Sequence, residues 1–147
     1  MQDCDEVIEY LYIGNRKTVE TNANQFDFIV NCTPDIQYNH NNYIRISIKD
    51  DPTECNKLLE LIKQTNVLEK IHEHITTNKK VLVHCGSGMQ RSCTVVACYL
   101  IKYYKLLPED AIEYIKNKRR IAFFGQVNFL STINMFYNCI IHNGKYK

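Results

Sequence analysis

Val81-Leu82-Val83-His84-Cys85-Gly86-Ser87-Gly88-Met89-Gln90-Arg91-Ser92 passes from an aliphatic run, through two glycines and a serine, to the start of a long apolar stretch. The order reads as strand, turn, helix. Residues 81–83 suit a buried strand, Gly86, Ser87 and Gly88 permit a tight turn, and Ser92 opens a helix expected to reach Tyr104. A loop of this kind turns successive backbone N–H groups inward, and the helix behind it adds its own unpaired N–H groups and the positive end of its dipole. Such a concavity holds a phosphate-sized anion. A cysteine placed at its lip is favoured as thiolate, because helix N-termini and cations bring the ordinary value near ~8.5 down to roughly 3.5 to 7.5. Five residues separate Cys85 from Arg91, whose planar fork can meet two phosphate oxygens at once. Gly86, Ser87, Gly88, Met89, Gln90 and Arg91 are therefore the expected anion-binding residues, with Cys85 as nucleophile.

One domain is expected over residues 1–147, long enough for a real core and too short for two ordinary ones. The composition is that of a globular chain, 45% apolar and 23% charged, and a formal charge of +2 is too small to argue for nucleic acid or membrane. The seven cysteines, odd in number and without a C-x-x-C pair, read as a reduced intracellular set, in cytoplasm or nucleus. The start Met1-Gln2-Asp3-Cys4-Asp5-Glu6 is acidic and lacks an apolar centre, so it is no secretory signal. No apolar run approaches the about 18 residues of a membrane span. Metal chemistry is not expected either: His72-Glu73-His74 is not H-E-x-x-H, because Thr76 stands where the second histidine belongs. No cofactor is expected.

Outward from the loop, residues 7–8 and 11–13 read as short strands broken before Gly14-Asn15, and residues 16–24 as a short helix or loop. Residues 26–32 form an apolar run that Thr33-Pro34-Asp35 ends. Residues 43–48 alternate, with Ile44, Ile46 and Ile48 on one face, and stop at Asp50-Asp51-Pro52. Residues 55–77 turn helical, in one piece or in two with Thr65-Asn66 capping the second. Pro108 suits a first helical position before a helix over 109–119, and residues 126–141 carry the spacing of a last helix. The sum is an α/β domain: a central, mostly parallel sheet of about five strands flanked by helices, with the phosphate loop between a central strand and a helix. Ligands in such sheets sit beyond the carboxyl ends of the strands, where Cys85 falls.

From about Glu9 onward the chain resembles the dual-specificity phosphatases, the compact branch of the cysteine-dependent protein tyrosine phosphatases. Tyr12-Ile13-Gly14 is similar to that family's opening strand and glycine, Phe28-Ile29-Val30-Asn31-Cys32 to its next strand, and residues 43–50 to the strand that delivers its general acid. Residues 117–120 with Phe129 resemble the closing segment. The loop departs slightly from the common pattern, with Ser87-Gly88-Met89-Gln90-Arg91-Ser92 where many members have A-G-x-S-R-S. Its Arg91-Ser92-Cys93 ending, with Gln126-Val127-Asn128-Phe129-Leu130, is similar to the cyclin-dependent-kinase-associated members.

The resemblance implies a phosphoprotein phosphatase in which Cys85 forms a cysteinyl-phosphate, Arg91 holds the equatorial oxygens and Ser92 hydrogen-bonds the sulfur. His84 is expected to organise the loop rather than act as a base. A leaving oxygen needs a proton, and Asp50 is the first choice, although it lies 35 positions before Cys85, slightly more than is usual in the family. Asp51 and Glu54 stay open, as does a plain solvated turn. Residues 116–120 either complement a helix dipole or meet an acidic substrate. Cys32 is a candidate resolving thiol. The rival readings are an RNA 5′-triphosphatase or a phosphoinositide phosphatase on the same scaffold, and a non-catalytic phosphate-binding module.

Overall fold

The structure, a computed structural model, describes residues 3–143. Five strands, β1 (Cys4–Ile8), β2 (Leu11–Gly14), β3 (Phe28–Asn31), β4 (Tyr43–Arg45) and β5 (Val81–His84), form one sheet in the order β1-β2-β5-β3-β4. Only the β1–β2 pair is antiparallel, so β2, β5, β3 and β4 end at the same edge. β3 and β5 are buried at every position, which requires cover on both faces and explains why their sequences run continuously apolar instead of alternating.

Six helices give that cover: α1 (Arg16–Asn22), α2 (Cys55–Thr65), α3 (Val67–Thr76), α4 (Arg91–Tyr104), α5 (Pro108–Lys118) and α6 (Leu130–Asn143). The core is asymmetric. Val30, Val83, Ile46, Ile48 and almost the whole of α4 join the larger cluster, whereas Ile29 and Leu82 point to a small one with Val19, Phe26 and Ile36. α4 is buried from Ser92 to Lys102 and so is the central helix. Its place behind β5 aims its first turn at the end of that strand.

Several boundaries differ from the sequence expectation for definable reasons. The strand expected over 43–48 keeps its ladder only to Arg45, although Ile46 and Ile48 stay fully buried. Among the described residues its outer flank has no partner, and beyond the Ile46 N–H bond to Asn31 O (2.8 Å) burial of alternate side chains holds the extended chain. Residues 55–77 do form two helices, joined at Asn66 in the left-handed conformation (φ 54°) without a side-chain cap. Thr65 caps nothing; its hydroxyl donates back to the Leu61 carbonyl. The last helix starts at Leu130 and not at 126, because side-chain hydrogen bonds hold residues 126–128 as a loop. No helix among the described residues is long and apolar enough to cross a membrane.

Candidate active site

The expected strand, loop and helix are all present, and β5 ends at His84 with Cys85 directly beyond it. Cys85 is 1% exposed, at the floor of the loop, and its Sγ lies 3.2 Å from Ser92 Oγ in the first turn of α4. What shapes the loop is the fate of its carbonyls. Gly86 O accepts from the Arg16 N–H (2.9 Å), Ser87 O from Arg119 Nη2 (3.2 Å) and Gly88 O from Arg119 Nε (2.8 Å). Met89 O accepts from the Phe123 N–H (2.7 Å) and Gln90 O from the Thr94 N–H (2.9 Å). A planar trans peptide sets each N–H opposite the preceding carbonyl. With the carbonyls of residues 86–89 tied to the surrounding protein and that of Gln90 to α4, the N–H groups of residues 87–91 point away from those bonds, the arrangement an anion cradle requires. α4 has no side-chain cap at its start, leaving its first N–H groups open as well.

Gly88 is the glycine this loop requires. Its φ is +72°, and a Cβ there would lie 2.6 Å from Arg119 Nη2 and 2.7 Å from Gly14 O. Gly86 is under no such constraint, since a Cβ would meet only Arg91 Nη2 at 3.4 Å.

Arg91 donates from Nη1 to Ile48 O at 2.9 Å, which joins the phosphate loop to the segment after β4. Its Nε is buried and has no partner among the described residues. An orphaned guanidinium N–H beside an anion cradle is what an incoming oxyanion would satisfy.

His84 is fully buried between the loop and Tyr38, with Nε2 2.9 Å from Tyr38 Oη and Nδ1 3.4 Å from Cys85 O. Burial lowers its pKa to about 4, with Arg45 and Arg91 adding to the effect and the Cys85 carbonyl opposing it. It is a neutral ring whose side chain faces away from the cradle, as its alternation with Cys85 on an extended segment requires.

The three carboxylates left open by sequence separate by what they hold. Asp51 Oδ1 accepts from both the N–H and the hydroxyl of Thr53, each at 2.9 Å, capping the turn at Pro52–Glu54. The Thr53 backbone bond, then its hydroxyl, hold the Asp51 carboxyl below its usual range. Glu54 Oε1 lies 3.8 Å from Lys57 Nζ and faces the Lys49 N–H at 3.4 Å. Asp50 is exposed, follows the segment gripped by Arg91, and its Oδ1 accepts from Asn128 Nδ2 at 3.2 Å.

Arg119 does not belong with the solvated basic helix end expected over 116–120. Lys116, Lys118 and Arg120 are exposed, but Arg119 is fully buried, paired with Asp5 at 2.8 Å and spent on the loop carbonyls. Asn128 and Tyr38 are further neighbours of the site. Asn128 enters the sequence reading only inside the 126–130 segment and Tyr38 not at all, because each reaches the site from a loop distant in sequence. His72 and His74 serve packing: His72 stacks on Tyr103 and hydrogen-bonds Tyr99, while His74 stacks on Phe28. Cys32 follows β3 as Cys85 follows β5, and its N–H donates to His84 O at 2.8 Å. Burial pushes its thiol well up.

The family model described as dual specificity phosphatase, catalytic domain, matches residues 11–139. A protein of invertebrate iridescent virus 6 named as a tyrosine phosphatase is 32% identical over 133 residues, 89% of each chain. Tyrosine-protein phosphatase yvh1 of Schizosaccharomyces pombe is 29% identical over 146 residues, 95% of this chain but 43% of the yeast one. The chain thus spans nearly all of the viral relative and less than half of the yeast relative. A crystal structure of human DUSP28 superposes with a TM-score of 0.83 at 19% identity, covering 96% of this chain and 97% of that one.

Proposed function

This chain belongs to the dual-specificity phosphatases, a family of phosphate-monoester hydrolases, and on that premise we propose that residues 1–147 act as one catalytic domain on phosphoproteins, removing phosphate from tyrosine and from serine or threonine. Cys85 is the nucleophile. Its thiolate attacks phosphorus, the S–P bond forms as the P–O bond to the side chain breaks, and the leaving oxygen takes the proton of the Asp50 carboxyl. Water then attacks the cysteinyl-phosphate, Asp50 takes a proton from that water, and the S–P bond breaks to release phosphate and the thiolate.

Throughout, Arg91 and the N–H groups of Ser87, Gly88, Met89, Gln90 and Arg91 hold the equatorial oxygens. Phosphoryl transfer is mostly positioning and charge stabilisation, so these groups carry most of the catalysis. Ser92 donates to the departing sulfur in the second half. The observation that carries the reading is the pairing of Cys85 Sγ with Ser92 Oγ at 3.2 Å beneath a loop whose carbonyls are all engaged elsewhere. Asp50 is favoured over Asp51 because the Asp51 carboxylate is committed to Thr53.

Residues 86–90 contain no charged side chain, which favours a simple monoester over a polyphosphate or inositol headgroup. The seven cysteines stand as free thiols, in keeping with a reducing intracellular compartment. The deciding experiment is Cys85→Ser: turnover of aryl phosphate and of phosphopeptides should vanish while oxyanion binding persists, and turnover near wild type would overturn the mechanism. Rates on matched phosphotyrosine and phosphothreonine peptides, triphosphate-ended RNA and inositol lipids then rank the substrates.

A further inference from the structure

Resting on the reading of Asp50 as proton donor, we infer that Asn128 is a positioning residue for that acid, and that Gln90 ties Asn128 to the phosphate loop. Gln90 is 5% exposed and its carboxamide has a single possible orientation. Nε2 donates to Gln126 O at 2.7 Å and Oε1 accepts from the Asn128 N–H at 3.0 Å. A backbone carbonyl can only accept and a backbone N–H can only donate, so the amide cannot flip. The side chain adjacent to Arg91 therefore brackets residues 126–128 from below.

Asn128 is held through two side chains. Its Oδ1 accepts from Gln126 Nε2 at 3.0 Å, and its Nδ2 donates to Asp50 Oδ1 at 3.2 Å. An N–H donor on Oδ1 of Asp50 leaves Oδ2 the more basic oxygen and so favours the transferable proton there, which sets the direction in which the acid presents it. Arg91, through Ile48 O, holds the same segment from its other end. The nucleophile loop and the acid are thereby placed in one frame by two tethers, one through each of the neighbours Gln90 and Arg91. The Asn128–Asp50 bond is exposed, so its loss should register in the geometry of proton transfer and scarcely in folding.

Proton donation matters in proportion to the basicity of the leaving group, which supplies a readout that general damage to the loop would not give. Steady-state rates are to be measured on 4-nitrophenyl phosphate and on phenyl phosphate, whose phenol titrates near about 10, for wild type, Asp50→Asn, Asn128→Ala and Asn128→Asp. The last variant keeps size but exchanges the donor for an acceptor. Both Asn128 variants are expected to lose about 10- to 100-fold in kcat on phenyl phosphate, to stay close to wild type on 4-nitrophenyl phosphate, and to keep KM and Tm. If Asp50→Asn shows this leaving-group dependence and the Asn128 variants do not, the inference fails and the acid stands. Uniform losses on both substrates in the Asn128 variants also overturn it. If Asp50→Asn itself lacks the dependence, the assignment of the acid fails, and the inference with it.

Discussion

At the scale of single residues, the site separates groups that face the anion from groups that hold them there. Asp50→Asn should lower kcat by ~10² to 10⁴, the usual cost of a lost general acid, while Asp51→Asn, whose amide oxygen still caps the turn, should leave rates near wild type; steady-state kinetics on phenyl phosphate decides between the two. Ser92→Ala should slow the second half-reaction more than the first, visible as a burst of phenol release before the steady state. His84 makes a different kind of prediction. Its folded pKa of about 4 lies below the ordinary 6.5, so as pH falls the unfolded chain binds the proton first. Stability is complete above pH 6.5 and is lost progressively down to about pH 4, by about 3 kcal/mol if the whole shift is realised. Urea midpoints across that window should fall steeply in wild type and less in His84→Asn.

At the scale of elements, the loop is a short segment whose conformation is imposed from outside. Arg16 at the start of α1, Phe123 in the loop after α5 and Arg119 at the end of α5 each take a carbonyl of residues 86–89. Arg119 does most, because its guanidinium spans two successive carbonyls and Asp5 at once. A lysine presents a point charge without that fork. Arg119→Lys should therefore fail to rescue Arg119→Met, and Arg119→Met should cost on the order of 3 to 5 kcal/mol, as for a broken buried pair, together with oxyanion affinity. Thermal unfolding with and without vanadate reads both. Gly88→Ala should be more damaging than Gly86→Ala, since only at Gly88 does a Cβ meet both a positive φ and two close atoms.

At the scale of the whole molecule, the parallel sheet matters because it brings three chain ends to one edge. β5 delivers Cys85, β4 leads to Asp50, and β3 ends beside them in the Asn31–Thr33 turn that supports Tyr38 and His84. The cradle also couples the fold to its ligand. Anion binding restricted to the folded state stabilises by about 2.7 kcal/mol at a hundredfold excess over Kd, and each kcal/mol raises Tm by about 2 to 4 °C at this chain length. Inorganic phosphate should raise Tm of the wild type and of Cys85→Ser, and should lose that effect in Arg91→Met, where the orphaned Nε is gone. A shift of equal size in Arg91→Met would place the binding elsewhere.

Sequence by itself determined the parts that are local. A cysteine, two glycines and an arginine within one turn of chain can be read off because a strand end, a tight loop and a helix start all lie within residues 81–92, and hydrophobic period assigned the strands and helices around them. What it left open was what engages each of the three carboxylates, and which of four neighbouring cations turns inward. Asp50, Asp51 and Glu54 differ by a few positions on a turn, and although Arg119 continues the Ala111, Ile115 spacing of the buried face of α5, its charge reads as readily as a solvated helix end. Those choices belong to the tertiary structure, because they depend on partners reached from far along the chain: Asn128 for Asp50, Gly88 and Asp5 for Arg119, Gln126 for Gln90. A hydrogen bond between loops 30 or more residues apart, as from Arg119 to Gly88, leaves no periodicity in sequence, and only the packing of the sheet and its central helix brings its two ends together.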